Sequence, residues 1–355
     1  MLRHPDRHER LRRALAERDC DGAILVGQAN AAHFAGYQRY LSGGALALVF
    51  VDGRRTLVVP RYEVAAAEES STADDVHGYG SEDFLDFDPL PKLLDACRDR
   101  VSGRVAVAGI ALEDSIRIDD VLTEIRRVKD ADELERVRTS YLIALRAQQR
   151  IGELAADGAT EIELFSAAQA CAQDEAGAPV EFVCGISSGP NSADVAPPVH
   201  VPGRRRAQAG EPILADVAVR HNGYWGDTTR TPIVGSNPEV EEVRTGLGEV
   251  LRAAGLGLRP GTTPAAVWEE MRDRIATRFP EGRFPHHGGH GIGIAVAEDP
   301  QLIPGEPESL VAGMVFAVEP GVYFPGRYGV RVEDMYVVTE DGGVAIQDAL
   351  PDLLS

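Results

Sequence analysis

The chain has little that would tie it to a membrane, a nucleic acid or an oxidising compartment. No window approaches eighteen consecutive apolar residues, so no membrane-spanning helix is expected. The start, MLRHPDRHERLRR, lacks the apolar stretch of a secretory signal. Cysteine is sparse: Cys20, Cys97, Cys171 and Cys184 lie far apart, form no C-x-x-C, and read as free thiols of a reducing cytoplasm. Positive charge is also short. Against 56 Asp and Glu stand 36 Lys and Arg, and the net charge of −20 argues against nucleic acid or an anionic membrane surface as the main partner. There is no low-complexity tract. The first third contains no phosphate-binding glycine loop and gathers no metal ligands.

What is present is a composition ordinary for a globular protein, 44 % hydrophobic and 26 % charged, in 355 residues, enough for two domains with separate cores. Residues 6–18 read as an amphipathic helix with Leu11, Ala14 and Leu15 inward. Short apolar runs follow at Ala23–Val26, Ala45–Val51, Thr56–Val59 and Arg104–Ala108, with helix-like stretches near 61–69 and 88–99. This alternation predicts an α/β layer unit over residues 1–125, with a shaping or oligomerising role. A boundary falls at RRVKDADELERVR, Arg126–Arg138. Asp130 and Glu133 have capping-box spacing for a helix running to about Leu154, and Thr160 with Glu163 repeats it.

Residues 126–355 then form a second domain. A strand at Val180–Ile186 and a turn at Ser187–Pro190 lead to a hairpin around His221-Asn222-Gly223. Helices follow at about 238–256 and from Pro264 to about Phe279. Strands at Val315–Glu319 and Gly329–Thr339 flank a Pro320-Gly321 turn. The hairpin carries Asp216 and Asp227. A loop at His221-Asn222 sets Asp216 opposite Asp227, whereas a loop at Asn222-Gly223 sets Asp227 opposite Ala218, still on the face of Asp216. Like charges so placed destabilise a sheet unless a cation lies between them. A solvent-facing hairpin with two unrelated acids is the competing reading.

The rest of the domain adds Glu319, ending MVFAVEPG, Glu333 in GVRVEDMYVV, and His290 in the glycine loop FPHHGGHGIG. Two Asp, one His and two Glu make an oxygen-rich set suited to a hard or borderline divalent ion, Mn²⁺ or Co²⁺ before a thiolate-loving metal. In these residues the chain resembles the metallopeptidase family of methionine aminopeptidase, aminopeptidase P and prolidase. Its five metal ligands match Asp216, Asp227 in Y-x-x-D-x-T-R-T, His290 in G-H-G-I-G, Glu319 in E-P-G and Glu333 in G-V-R-V-E-D. The opening around Arg126–Leu134 and Ser188–Asn191, S-G-P-N, match as well.

The resemblance implies an α/β (α+β) chain, a creatinase-like N-terminal α/β domain over 1–125 followed by a pita-bread catalytic domain over 126–355. It implies two divalent metal ions, Mn²⁺ ahead of Co²⁺ or Zn²⁺. Asp227 and Glu333 would bridge them, Asp216 would complete one, and His290 with Glu319 the other. A hydroxide between the ions would be the nucleophile and Glu319 the proton shuttle. The implied substrate is a short peptide with proline after the scissile bond, and the implied assembly a cytoplasmic homodimer. Tyr224 and Arg331 sit where larger members keep a Tyr and an Arg beside the metals. His286, with His287 as its alternative, matches a substrate histidine four residues before the metal His. His200, in PPVHVP, matches a second, one residue out of place. A third is missing: Ala297 stands where the family has His, seven residues after His290. That departure leaves open a creatinase-like hydrolase or lyase of a small C–N substrate, and a non-catalytic binding module on the same fold is a further competing reading.

Overall fold

The computed structural model describes residues 6–39, 45–81, 88–155, 158–194 and 201–348. Two compact units divide between Arg126 and Arg127. The first holds β1 (Gly22–Val26), β2 (Ala47–Val51), β3 (Arg54–Pro60), β4 (Asp75–Tyr79), β5 (Val105–Ala108) and β6 (Ile116–Arg117), in the sheet order β4-β3-β2-β1-β5-β6. Its helices are α1 (Arg7–Ala16), α2 (Gln28–Ala35), α3 (Val64–Ser70), α4 (Leu90–Arg98) and α5 (Asp119–Arg127). Alternate residues of β1 go to opposite faces: Ala23 and Leu25 join Leu11, Phe34 and Leu122, while Ile24 joins Leu93 and Cys97. Burial on both faces explains why these strands read as unbroken apolar runs. Four elements here were not expected from the sequence, α2, β4, β6 and α5. QANAAHFA is nearly buried throughout, so it shows no polar stripe to mark a helix.

In the second unit, α6 (Ala131–Ala155) begins at a reciprocal cap. Asp130 N–H donates to Glu133 Oε2, and Glu133 N–H to Asp130 Oδ1, each at 3.0 Å. α7 (Glu161–Ala176) has a full capping box from Thr160 and Glu163 and ends at Gly177 with φ 63°. On these helices lies a sheet of β7 (Glu181–Ser188), β8 (Ile213–His221) and β9 (Tyr224–Arg230). Ile213, Ala215, Val217 and Val219 of β8 enter the core with Ile143, Ala147 and Leu164, so the alternate residues, Asp216 among them, face away from the helices. Asn222 and Gly223 form the hairpin loop at φ 49° and 87°, pairing His221 with Tyr224 and Ala218 with Asp227. Asn-Gly tolerates two positive φ angles, which selects this register over the other.

The remaining helices, α8 (Pro238–Gly257) and α9 (Pro264–Arg278), start with proline behind caps from Asn237 and Thr263. They share a core with the strands that follow, through Val243, Leu247, Met271, Phe316 and Val338. Those strands are β10 (Gly289–Gly291), β11 (Glu298–Gln301), β12 (Val315–Val318), β13 (Gly321–Phe324), β14 (Tyr328–Arg331), β15 (Asp334–Thr339) and β16 (Gly342–Ala345). One sheet has the order β11-β10-β12-β15-β16, and β13 pairs with β14. The single strand expected over Gly329–Thr339 is therefore two. Val318 pairs with Asp334 and Gly321 with Arg331, so Glu319-Pro320 and Val332-Glu333 lie between the two ladders. In that gap Val332 N–H donates to Pro320 O and Glu333 N–H to Thr229 O. Among the described residues no helix is long and apolar enough to cross a membrane, and the four cysteines are free.

Gly226 marks how closely β9 lies on α6: a Cβ there would overlap the backbone of Tyr141 and Ser140. Neither backbone can move without shifting the whole helix. Gly226→Ala is therefore expected to cost at least about 2 kcal/mol of stability, an overpacking penalty. Chemical denaturation measures it, and a change below about 0.5 kcal/mol would contradict this packing.

Candidate metal centre

The two strand gaps and the β8–β9 hairpin converge on one buried cluster. Asp227, His290 and Glu333 each offer a ligand atom, and these atoms lie within 4.8 Å of one another. His290 Nδ1 is 3.0 Å from Gly291 O, so Nδ1 carries the proton and Nε2 keeps its lone pair for the cluster. Nε2 is 3.9 Å from Asp227 Oδ2 and 3.7 Å from Glu319 Oε1. Glu333 is fixed from several sides. Thr229 Oγ1 donates to its Oε2 at 2.7 Å, and Thr228 Oγ1 and Arg230 Nη1 donate to its backbone carbonyl at 3.0 and 2.6 Å. Asp216, on the site face of β8, is ion-paired with Arg331. All five residues singled out as ligands thus lie in one cluster.

Arg331 is buried and belongs to it. Besides Asp216 it approaches Glu319 Oε2 at 3.8 Å and donates to the Tyr323 hydroxyl at 3.2 Å. Tyr323 was not singled out from the sequence. The available signal was the β-branched and aromatic run Val322–Phe324 before Pro325-Gly326, a hairpin pattern masked by the preceding Pro-Gly. The Tyr323 hydroxyl lies 3.1 Å from His286 Nε2, and His286 Nδ1 lies 2.6 Å from His287 O. With Nδ1–H donating to that carbonyl, Nε2 accepts from Tyr323. Both ring nitrogens of His286 are therefore engaged away from a substrate, because β13 brings Tyr323 across its ring. His287 faces the carboxylates instead: Nδ1 is 3.2 Å from Glu319 Oε1, without hydrogen-bond geometry, on a side chain 38 % exposed.

Two further expectations need correction or restriction. Tyr224 does not stand beside the cluster. Strand alternation puts it on the α6 side of β9 with Gly226, where its hydroxyl donates to Glu133 Oε1 at 3.1 Å. His200 lies outside the described residues. Ala297 is exposed, and its neighbour Glu298 is drawn away to buried Lys129 at 2.9 Å and to Ala295 N–H.

Four carboxylates here face one guanidinium, and their protonation reflects it. Burial first, then Glu333, Asp216 and Glu319, raises the Asp227 carboxyl well above the ordinary range. Glu333 is raised too, by burial and then by Glu319 and Asp216. Burial pushes Glu319 up to about 8, against the pull of Arg331. Asp227 Oδ1, though buried, accepts no hydrogen bond. An orphaned acceptor among crowded carboxylates and one imidazole nitrogen fits a divalent cation by its donor chemistry.

The model of metallopeptidase family M24 matches residues 135–340, and that of the creatinase/prolidase N-terminal domain residues 7–139. The chain belongs to metallopeptidase family M24. As an M24 member it is a metallopeptidase, a hydrolase with a creatinase-like N-terminal domain and a pita-bread catalytic domain. It is 32 % identical over 316 residues to the probable dipeptidase PepE of Mycobacterium bovis, covering 85 % of this chain and 83 % of that one. The Xaa-Pro dipeptidase of Pyrococcus furiosus is 28 % identical over 359 residues, covering 98 % and 99 %. The crystal structure of dipeptidase PepE from Mycobacterium ulcerans superposes with a TM-score of 0.75 at 29 % identity, covering 97 % of this chain and 95 % of that one.

The raised carboxyls make the metal-free M24 chain sensitive to pH. Between the ordinary glutamate value of 4.5 and about 8, folded Glu319 holds a proton that the unfolded chain has released. Stability therefore falls as pH rises through that window. Thermal unfolding of chelator-treated protein is expected to give a higher Tm at pH 5 than at pH 8, a gap that added Mn²⁺ closes from the alkaline side. Glu319→Gln should narrow the gap without metal; an undiminished gap in that variant contradicts the assignment.

Proposed function

We propose that this metallopeptidase is a dinuclear Xaa-Pro exopeptidase of the aminopeptidase P and prolidase type, with Mn²⁺ as the resident ion. The observation that carries the reading is the convergence of Asp216, Asp227, His290, Glu319 and Glu333 on one cluster, with the Arg331 guanidinium against Asp216 and Glu319. Relatives named as dipeptidase and Xaa-Pro dipeptidase support the substrate class. The same reading makes it a cytoplasmic homodimer and treats residues 1–125 and 126–355 as its two domains.

Asp227 and Glu333 would hold both ions, Asp216 one of them, and His290 with Glu319 the other. When bound, the ions would polarise the scissile carbonyl and supply an acidified water. Arg331 neutralises part of the negative charge and, through Asp216, fixes that carboxylate's direction. Glu319, between His290 and His287, accepts a proton and passes it to the departing amine. His287 is held down to about 4, by burial first and then by His290 and Arg331, so it is neutral at pH 7. A neutral imidazole still has one N–H to donate to the developing oxyanion. In this reading His287 takes that role and His286 braces Tyr323. His200, matched to a second substrate histidine by sequence, is assigned here only on that match.

Ala297 is the departure behind the other reading, a metal-dependent hydrolase or lyase of a small C–N compound, which the dipeptidase relatives do not favour. A panel of Xaa-Pro peptides with Mn²⁺-loaded protein separates the two. Wild type is expected to cleave the panel, and Ala297→His to raise kcat/KM by roughly tenfold or more. Asp227→Ala should lose bound metal and at least about 100-fold in activity together. Absence of turnover in both wild type and Ala297→His would overturn the peptidase reading, and full activity of Asp227→Ala would overturn the metal assignment.

A further inference from the structure

The residue after Glu333 serves a second cavity. Asp334 lines a space of about 510 Å³ between α8, β15 and β16, and none of the residues gathered at the metal centre lines it. That volume suits a small molecule. Its walls are fixed against each other, since a Cβ at Gly255 of α8 would overlap the Tyr336 ring of β15. The cavity is therefore part of the packed unit and needs no rearrangement to form.

Several of its polar groups lack partners. The side chains of Arg252 and Asp348 are exposed and make no hydrogen bond or ion pair among the described residues. Tyr336 is buried, yet its hydroxyl makes no hydrogen bond to any of them. Burial, and then Asp334, pushes that phenol up to about 12, so it stays a neutral donor. Asp334 accepts from Tyr141 and Arg230 through Oδ1, and its Oδ2 accepts from neither. Leu256 of α8, 53 % exposed, adds a large apolar side chain to the same wall.

Two carboxylates, one guanidinium, a spare hydroxyl and an apolar wall match a zwitterion with an apolar tail. We propose that this cavity binds a free apolar α-amino acid and that its occupancy weakens cation binding at the metal centre. The ammonium lies at Asp334 and Asp348, the carboxylate at Arg252 and the Tyr336 hydroxyl, and the side chain on Leu256. Asp334 also holds Arg230, whose Nη1 donates to the Glu333 carbonyl at 2.6 Å. An ammonium at Asp334 places positive charge one residue from Glu333 and competes with Arg230 for the same carboxylate, so it opposes a cation there. A peptidase that releases amino acids is thereby restrained by them. The coupling rests on Glu333 as a metal ligand, and occupancy by an amino acid does not.

Calorimetry on the chelator-treated full chain compares L-leucine with N-acetyl-L-leucine, which lacks the ammonium, and 3-methylbutylamine, which lacks the carboxylate. Leucine is expected to bind at least about fivefold more tightly than either. Arg252→Ala, a change at an exposed position, should bring leucine down to the affinity of the amine. Saturating leucine should weaken Mn²⁺ binding about fivefold or more, and Mn²⁺ should weaken leucine binding by the same factor. Arg252→Ala should keep wild-type Mn²⁺ affinity and peptidase turnover but lose the effect of leucine, which also separates this coupling from chelation of Mn²⁺ by leucine in solution. Equal binding of the three compounds, leucine affinity undiminished in Arg252→Ala, or Mn²⁺ affinity indifferent to leucine overturns the proposal.

Discussion

Crowded negative charge in a buried place is the constraint on which the rest of the catalytic unit depends. Burial and the neighbouring carboxylates, Asp216 among them, raise the affinity of Asp227, Glu319 and Glu333 for protons, and Arg331 offsets only part of the negative charge. Such a cluster opposes folding unless protons or metal cations complete it. The surrounding structure holds Glu333 from behind. Thr229 binds the Glu333 carboxylate, and Thr228 and Arg230 bind its carbonyl. Arg230 is in turn held by Asp334, which also accepts from Tyr141 of α6 at 2.5 Å. The ligand strands are thus tied to the helix layer by polar contacts as well as by the core.

The fold delivers these side chains through interruptions of regular structure as much as through strands. Glu319 and Glu333 occupy facing gaps between the five-stranded sheet and the β13–β14 hairpin. A continuous ladder would commit both residues to strict alternation. The gap frees the backbone, and the hydrogen bond from Glu333 N–H to Thr229 O carries the connection from one sheet to the other. The hairpin past the gap contributes Arg331 and Tyr323, so one break in a strand organises most of the site. Where the family has a further histidine, this chain has Ala297 followed by Glu298 turned towards Lys129, and the segment serves packing near the start of the unit.

Much of this was legible in the residues. Capping-box spacings at Asp130–Glu133 and Thr160–Glu163 are local chemistry, and both caps form. The period-2 pattern around Asp216 places it opposite the apolar face of β8, as alternation requires. Spacing was silent on other points. The same alternation that turns Asp227 inward turns Tyr224 towards Glu133, and a motif match alone did not separate them. His286 and His287 are neighbours in sequence, and only the position of Tyr323 decides which imidazole is occupied.

By itself, the sequence determined the α/β plan of the first unit, the motifs that carry the family resemblance and the set of acids and histidine that gather, because these follow from residue type, short-range spacing and hydrophobic period. Tertiary structure decided the break that sets Glu319 beside Glu333, the burial of Arg331 against Asp216, and the placing of Tyr323 across His286. Each of these depends on which strands pair at long range, and pairing is a property of the whole packed unit that no local window of sequence contains.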